Sequence, residues 1–388
     1  MRFEFATATR IIFGAGASEE AAVLAGGMGR RAFVLTGRNA ERAAPFIERL
    51  KQQGVATESF AVTGEPATGT VLAATEQARA AHCDVVVAFG GGSVLDTGKV
   101  VSALLANGGG LMDYLEVIGR GQPLRRPAVP CVAIPTTAGT GAEVTRNAVI
   151  ASPEHRVKAS VRSPLMLPRL AVVDPALTTS MPPAVTASTG LDALTQLMEA
   201  FVCNAANPLT DGVCREGLRR AARSLRRACE DGNNAAARED MSMASLFGGL
   251  ALANARLGAV HGFAGVLGGM FAAPHGVICA RLLPYVMEAN ARALVARGAR
   301  GRGSPASDRF DEVARIVTGR SGALAEDGVA WMRDLCAALK IPSLAQFGLN
   351  ESDFPAVVAQ SQKASSMKGN PLPLTDEELT LILKQAAS

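Results

Sequence analysis

The chain has 388 residues, of which 48% are hydrophobic and 4% aromatic, and its 39 basic and 35 acidic side chains leave a net charge of +4. This length predicts two domains with large cores, and the weak charge with few aromatic residues argues against nucleic-acid binding. Glu4 and Arg10 interrupt any signal-peptide pattern, and no stretch has the roughly 18 apolar residues of a membrane span, so we expect a cytoplasmic protein without membrane contact.

Strands and helices alternate in the first half of the chain. The run of valines in Asp84–Phe89 is typical of a parallel strand covered on both faces. Alternation of this kind predicts an α/β domain with a doubly wound parallel sheet. The predicted strands are Arg31–Thr36, Val55–Val62, Asp84–Phe89, Val129–Thr136 and Leu170–Asp174, and the predicted helices are Ala40–Gln53, Val71–His82 and Val94–Leu105.

The second half is Ala-rich and predicts helices only. Thr375 and Glu378 form a capping-box pattern at the start of the last helix, and the Gly/Arg/Ser-rich tract Ala296–Ser307 predicts a loop. We therefore predict an α/β domain at residues 1–183 and an all-α domain at residues 184–388. The predicted helices are Glu216–Cys229, Ala237–Leu257, Val286–Val295, Asp308–Val317, Ala323–Leu339 and Glu377–Ala387.

A glycine-rich segment, GGGSVLDTGK (Gly90–Lys99), follows the third predicted strand and opens a helix. Gly90, Gly91 and Gly92 let the backbone approach a pyrophosphate, and the start of the helix offers free N–H groups to it. We expect Ser93 to cap this helix and to contact phosphate. A glycine-rich turn of this kind also occurs as a plain tight turn, so this segment alone does not establish nucleotide binding.

A second polar loop, PTTAGTGAEVT (Pro135–Thr145), follows the next strand. Hydroxyl groups at the carboxyl ends of strands suit ribose and phosphate contacts in an open parallel sheet. Two such loops after neighbouring strands indicate a dinucleotide site. The loop carries Thr136, Thr137, Thr140 and Thr145.

Candidate metal ligands lie in the second half. Asp192 and Gln196 are four residues apart in a helical stretch and so share one face. His261 and His275 are two of only four histidines, and each is followed by glycine. The seven cysteines are scattered and contain no CxxC pair, which predicts reduced thiols that are small core or surface residues rather than ligands or nucleophiles.

Five motifs in order resemble the iron-containing (group III) alcohol dehydrogenase family: GGGSVLDTGK, PTTAGTGAEVT, LAVVDPALTTSMPP, GLDALTQLMEAFVC and VHGFAGVLGGMFAAPHG. The resemblance spans nearly the whole chain, from FGAGA (Phe13–Ala17) to the NPLPLT segment. It implies a dinucleotide-binding α/β domain and a helical metal domain. It also implies a cofactor site that comprises Gly90, Gly91, Gly92, Ser93, Asp96, Thr136, Thr137, Thr140, Thr145, Lys158 and Leu177.

The resemblance implies a metal bound by Asp192, His261 and His275, with Fe(II) or Zn(II) as the ion. The family carries a further histidine ligand where this chain has Gln196, whose neutral amide would be a weak fourth ligand or a partner of a ligand. The family often has another histidine where this chain has Gly265, so no protein proton donor is identified and the catalytic residues stay unknown.

Gly37 and Arg38 bear on the choice of cofactor. Members of the family that prefer NAD carry an aspartate at the position of Gly37, where it repels the 2′-phosphate of NADP. Its absence, next to a guanidinium that can pair with phosphate, predicts that NADPH is accepted beside or in preference to NADH.

The predicted function is reversible hydride transfer between NAD(P) and a small alcohol, aldehyde or ketone, polarised by the metal. The resemblance also implies a homodimer or larger homo-oligomer, for which an edge strand at Phe3–Phe13 could pair across a two-fold axis. The alternatives are a metal-independent maleylacetate-type reductase, a sugar-phosphate cyclase of the dehydroquinate-synthase-like fold, and a nucleotide-binding module without activity. The cyclase needs a basic cluster near the metal, which the helical motifs lack.

Overall fold

The computed structural model describes residues 2–297 and 305–388. The chain divides into two compact units, which we call the sheet unit and the helical unit. The sheet unit comprises Ala6–Thr137 and Gly141–Thr179, and the helical unit comprises Met1–Phe5, Ala138–Thr140 and Ser180–Ser388. The domain division predicted at residue 183 stays a prediction. Most of the loop predicted at Ala296–Ser307 lies outside the described residues.

The main sheet of the described sheet unit has six strands: β1 (Ile11–Phe13), β2 (Arg31–Thr36), β3 (Ala56–Ala61), β4 (Val85–Gly90), β5 (Cys131–Pro135) and β8 (Leu170–Val173). All six are parallel, and they lie in the order β1-β8-β5-β4-β2-β3. The predicted parallel sheet is therefore confirmed, and β2 has the predicted bounds.

Helices cover both faces of this sheet. Val34, Val87 and Ile134 belong to one apolar cluster, and Phe33 and Val86 belong to another. Every residue of β4 is buried, which explains its lack of polar alternation. The helices of this unit are α1 (Ala17–Gly26), α2 (Ala44–Gln52), α3 (Thr68–Ala80), α4 (Gly92–Ala106) and α5 (Leu111–Tyr114).

The strand order reverses between β2 and β4. The chain runs from β2 outward to β3 and then returns to the other side of β2, where Thr36 pairs with Phe89. On the next strand, Pro135 pairs with Gly90. In open parallel sheets, ligands bind at the carboxyl ends of the strands where the order reverses, and both predicted cofactor loops begin at this edge.

Two strand features differ from the predictions. The antiparallel hairpin of β6 (Asn147–Ser152) and β7 (Val157–Arg162) was not predicted, because neither strand has a long apolar run. The edge strand predicted at Phe3–Phe13 is wrong in extent, since only Ile11–Phe13 forms a strand, which pairs in parallel with β8. The preceding described residues form no strand.

The described part of the helical unit contains only helices as regular elements, as predicted. Its core is one continuous apolar cluster, and α6 packs against α7, α8 and α10. The capping box is present, with Thr375 Oγ1 accepting from the Glu378 N–H and Glu378 Oε2 accepting from the Thr375 N–H. The helices are α6 (Pro183–Val202), α7 (Pro208–Glu230), α8 (Ala235–Asn254), α9 (Ala259–Met270), α10 (His275–Arg297), α11 (Pro305–Thr318), α12 (Ala325–Ala338), α13 (Phe354–Ser361) and α14 (Asp376–Ala387).

Among the described helices, none is by itself long and apolar enough to cross a membrane. Of these helices, only α8 and α9 taken together have the length and composition of a membrane span, and the two helices are bent by 96° relative to each other.

Candidate active site

One face of α6 carries three buried polar side chains. Asp192, Gln196 and Glu199 are spaced by four and three residues, which places them on the same side of the helix. Each is at most 3% exposed, although the rest of the buried surface of α6 is largely apolar. Burial of polar groups is costly unless they bind something, so this face indicates a site.

Two histidines converge on this face from α9 and α10. His261 lies in the first turn of α9, and His275 is the first residue of α10, after Pro274 and an irregular segment. His261 Nε2 lies 3.4 Å and His275 Nε2 lies 3.8 Å from Asp192 Oδ1. The structure therefore brings these three predicted ligands together, and the His275 side chain is 36% exposed, so the cluster is accessible from solvent.

Gln196, the fourth predicted ligand, lies beside Asp192 and is hydrogen-bonded to it. Its Nε2 donates to Asp192 Oδ2 at 3.4 Å, so its amide contacts a ligand. Gln196 Oε1 and Asp192 Oδ1 are both buried and accept no hydrogen bond from any described residue. Two buried acceptor oxygens without donors, beside two imidazoles, fit the binding of a divalent cation.

Glu199 was missed by the sequence analysis. Its Oε2 lies 2.7 Å from His261 Nδ1, and its Oε1 accepts from the Val260 N–H at 2.7 Å. A carboxylate on one imidazole nitrogen orients the ring and leaves the other nitrogen for a metal, here Nε2 toward Asp192. The spacing of seven residues from Asp192 was the available signal.

The NPLPLT segment near the C-terminus supports the start of α9. Asn370 Oδ1 accepts from the Ala259 N–H at 3.1 Å, and its amide pairs with that of Asn290. All of these groups are buried. Asn370 thus fixes the helix turn that carries His261, which gives this distant motif a structural role.

Cys279 also faces the cluster, one helical turn after His275. Its Sγ lies 3.6 Å from His275 Nε2 and 3.9 Å from His261 Nε2. Potential ligand atoms of Asp192, His261, His275 and Cys279 all lie within 4.8 Å of one another. The cysteine pattern predicted core or surface residues rather than ligands, and the buried Cys279 lies within reach of the candidate metal ligands.

The pKa of the Asp192 carboxyl group lies below its ordinary value. Burial raises this pKa, but the imidazoles of His275 and His261 outweigh that effect. A buried carboxylate with adjacent imidazoles can balance the charge of a cation. The cluster is therefore suited to hold a divalent metal ion.

The glycine-rich loop starts α4 differently from the prediction. Gly91 is the N-cap residue and Ser93 lies inside the helix, so Ser93 does not cap it. A Cβ at Gly91 would lie 3.2 Å from the side chain of Thr137, so the two predicted cofactor loops lie against each other. The absence of a side chain at Gly91 keeps the first N–H groups of α4 accessible to an anion.

The other predicted cofactor residues differ in their surroundings, and four of them, Asp96, Thr145, Lys158 and Leu177, contact side chains of the sheet unit. Lys99 is fully buried and bonds to Asp96 at 2.9 Å and to Thr145 Oγ1 at 2.9 Å. Lys158 pairs with Glu65 at 2.7 Å. The carbonyl of Leu177 accepts from Arg42, Thr136 is buried, and Thr140 belongs to a segment of the helical unit.

Gly37 and Arg38 follow β2 at the carboxyl edge of the sheet, where Arg38 is exposed. Gly265 lies in α9, and a Cβ there would meet no atom within 4 Å. The missing histidine therefore leaves open space, and no described side chain fills it near that position.

Comparisons with known proteins show relatives of this chain over nearly its whole length. The chain matches the family described as iron-containing alcohol dehydrogenase over residues 8–175, and its C-terminal counterpart over residues 186–387. It is 36% identical over 347 residues to the 1,3-propanediol dehydrogenase of Klebsiella pneumoniae, which covers 88% of this chain and 86% of that protein.

Solved structures are similar over the full length. A crystal structure of a 1,3-propanediol oxidoreductase has a TM-score of 0.90 and 33% identity and covers 100% of both chains. A sulfoacetaldehyde reductase from Bifidobacterium kashiwanohense in complex with NAD+ has a TM-score of 0.86 and 28% identity and covers 100% of this chain and 99% of that one.

Proposed function

This chain belongs to the iron-containing alcohol dehydrogenase family, and we propose that it interconverts a small alcohol and its carbonyl compound at a metal held by Asp192, His261 and His275. It is an NAD-dependent oxidoreductase that acts on CH–OH groups, as the family implies. The matches favour neither a maleylacetate-type reductase nor a sugar-phosphate cyclase.

The observation that carries the proposal is the convergence of one carboxylate and two imidazoles on a single point. Asp192 Oδ1 has no hydrogen-bond donor there, although it is buried. A bound metal would supply Lewis acidity that polarises the carbonyl oxygen of the substrate. Asp192, His261 and His275 would hold it, and Glu199 would orient His261.

The cofactor would bind at the edge where the strand order reverses. The backbone of Gly90–Gly92 and the start of α4 would hold the pyrophosphate, with Thr136 and Thr137 beside it. The exposed Arg38 would pair with a 2′-phosphate, and Gly37 offers no carboxylate to repel it. We therefore propose that NADP is used in addition to NAD.

The names of the relatives guide the choice of substrate. One relative is named for 1,3-propanediol and one structure for sulfoacetaldehyde, and both compounds are small and linear. We propose short linear alcohols and aldehydes as the substrate class of this enzyme, and a homodimer or larger homo-oligomer as its assembly.

The test is steady-state kinetics with NAD+ and NADP+ on a panel of short alcohols and diols, and with the reduced cofactors on the matching aldehydes and ketones. The same panel is repeated after chelation and after Fe(II) or Zn(II) is added back anaerobically. Loss and recovery of activity on the short linear members support the proposal. Full activity without metal would contradict it.

A further inference from the structure

We propose that Cys279 is the fourth protein ligand of the metal and that its sulfur, with Asp192, His261 and His275, gives this enzyme a site that prefers zinc over iron. The inference rests on the proposed function, because it concerns the metal of the same site. Within the described ranges, these four residues are the only group of three or more His, Cys, Asp or Glu side chains whose potential ligand atoms all lie within 4.8 Å of one another.

Four of the six separations between the donors are close to those around a tetrahedral ion, and all six are within 4.8 Å. Metal distances of about 2.0–2.1 Å for nitrogen or oxygen and 2.3 Å for sulfur place tetrahedral N and O donors about 3.3 Å apart, and N and S donors about 3.6 Å apart. The oxygen of Asp192 lies 3.4 and 3.8 Å from the two imidazole nitrogens. The sulfur of Cys279 lies 3.9 and 3.6 Å from the same nitrogens.

The helix that carries Cys279 is fixed beside α6. A Cβ at Gly276 would lie 2.5 Å from the carbonyl oxygen of Ser188, so the start of α10 touches the backbone of α6. Cys279 follows His275 by four residues and therefore shares its face. The sulfur is thus placed toward Asp192 by the backbone, without any rearrangement of the helix.

The environment of Cys279 differs from that of other buried cysteines. Cys203 Sγ donates to the carbonyl of Ala200 at 3.2 Å, and Cys336 Sγ donates to that of Ala280 at 3.3 Å. Cys279 faces two imidazole nitrogens instead. It is 0% exposed, so it is not accessible as a nucleophile. A thiol in this position is suited to metal binding rather than to packing or covalent catalysis.

Cys279 compensates for Gln196. The family resemblance expects a histidine at position 196, and the amide found there contacts Asp192 instead. A thiolate restores a strong fourth donor and adds negative charge. Sulfur is a soft ligand and favours zinc more strongly than a ligand set of nitrogen and oxygen alone.

The test uses the full chain stripped of metal and titrated with Co(II), whose bond to a thiolate gives a near-ultraviolet charge-transfer absorption. We expect this band in the wild type and in the Cys336→Ser control, and its loss in Cys279→Ser. Burial raises the pKa of the Cys336 thiol to about 12, so that cysteine stays protonated. Circular dichroism establishes that each variant is folded.

Affinity is measured with the same samples by competition with a chelator. Mutation of a residue that hydrogen-bonds to a metal ligand typically lowers metal affinity about 10- to 100-fold, and loss of the ligand itself should lower it at least as much. Cys279→Ser should therefore weaken Zn(II) binding about tenfold or more. Adding Gln196→His to Cys279→Ser should restore affinity without the sulfur band. The ratio of Zn(II) to Fe(II) affinity should then be lower than in the wild type.

Two results would overturn the inference. If wild type binds one Co(II) without the band, or if folded Cys279→Ser keeps it, Cys279 is not a ligand, while the proposed function stands. If wild type binds none of Co(II), Zn(II) and Fe(II), both the inference and the metal-dependent function are wrong. These outcomes separate the two proposals because Co(II) binding and sulfur absorption are measured independently.

Discussion

Glu199 Oε2 lies 2.7 Å from His261 Nδ1, in a site where the glutamate is 2% exposed and the histidine side chain 8% exposed. The same carboxylate accepts from the N–H of Val260. One residue thus holds both the imidazole and the helix turn that carries it. The nitrogen of His261 that lies beside Asp192, Nε2, owes its position to a carboxylate on the opposite side of the ring.

Glu199→Ala should weaken metal binding about 10- to 100-fold, because the ring of His261 loses the partner that orients it. Glu199→Gln should have a smaller effect, since its carbonyl can still accept from Nδ1. Glu288→Gln, which removes an ion-paired carboxylate elsewhere in the helical unit, is the control. The measurement is Zn(II) affinity by chelator competition, and equal affinities for Glu199→Ala and the control would contradict the role.

Gly37→Asp should reduce the use of NADP+ and spare NAD+, because a carboxylate after β2 would repel the 2′-phosphate. Arg38→Ala should lower kcat/KM for NADP+ roughly tenfold or more, since it removes a charge-assisted contact. Both variants are compared with wild type in steady-state kinetics with saturating alcohol. Unchanged ratios of NADP+ to NAD+ efficiency would show that neither residue selects the cofactor.

Gly98→Ala should destabilise the protein by about 1–3 kcal/mol, because its Cβ would lie 2.7 Å from the Cβ of Ala88 on β4. Gly69→Ala, on α3 with no atom within 4 Å of its Cβ, is the matched control and should stabilise by up to about 1 kcal/mol. Urea unfolding measures both. A neutral Gly98→Ala would mean that α4 can move away from β4 at no cost.

Asp240 links α7 and α8 through its bonds to Arg223, Arg220 and Ser224. Burial raises its pKa, but the hydrogen bonds from Arg223 and Ser224 and the arginine charges outweigh this, so the pKa lies below 3.8. The carboxylate therefore stabilises the fold above the unfolded-state pKa, and this contribution is lost as the pH falls through the folded-state value.

Asp240→Asn should lower the free energy of unfolding at neutral pH by about 1–3 kcal/mol. Between about pH 5 and pH 2 its stability should fall less than that of wild type, because the titrating group is absent. Denaturant unfolding across this range measures both curves. Parallel curves for the two proteins would contradict the role of Asp240.

Sequence patterns predicted the elements whose signal lies within a short stretch of the chain. The buried valines of β4 and the motif around Thr375 led to the right structures, because burial and capping act within a few residues. The hairpin of β6 and β7 was missed since its strands mix apolar with polar residues, and its pairing depends on contacts distant in sequence. The N-terminal strand was overextended because Phe3 is apolar but 46% exposed.

The site was predicted only in part, because it too depends on contacts between residues distant in sequence. The motifs pointed to Asp192, His261 and His275, and the structure brings them together. Glu199 and Cys279 were not found, because the helical spacing of Glu199 from Asp192 and the presence of a lone cysteine do not show what each side chain faces until the helices pack. Ser93 was placed as a cap because the helix was expected to start at Val94, two residues later than its observed start at Gly92.

The most direct test of the account is elemental analysis of metal per chain, with alcohol-dependent NAD+ reduction measured on the same samples. We expect about one Zn(II) or Fe(II) ion per wild-type chain, as one catalytic site requires, and background metal with little activity in folded Asp192→Ala and His275→Ala. Wild type free of metal yet fully active, or variants that keep their metal, would contradict the assignment of this cluster as the metal centre.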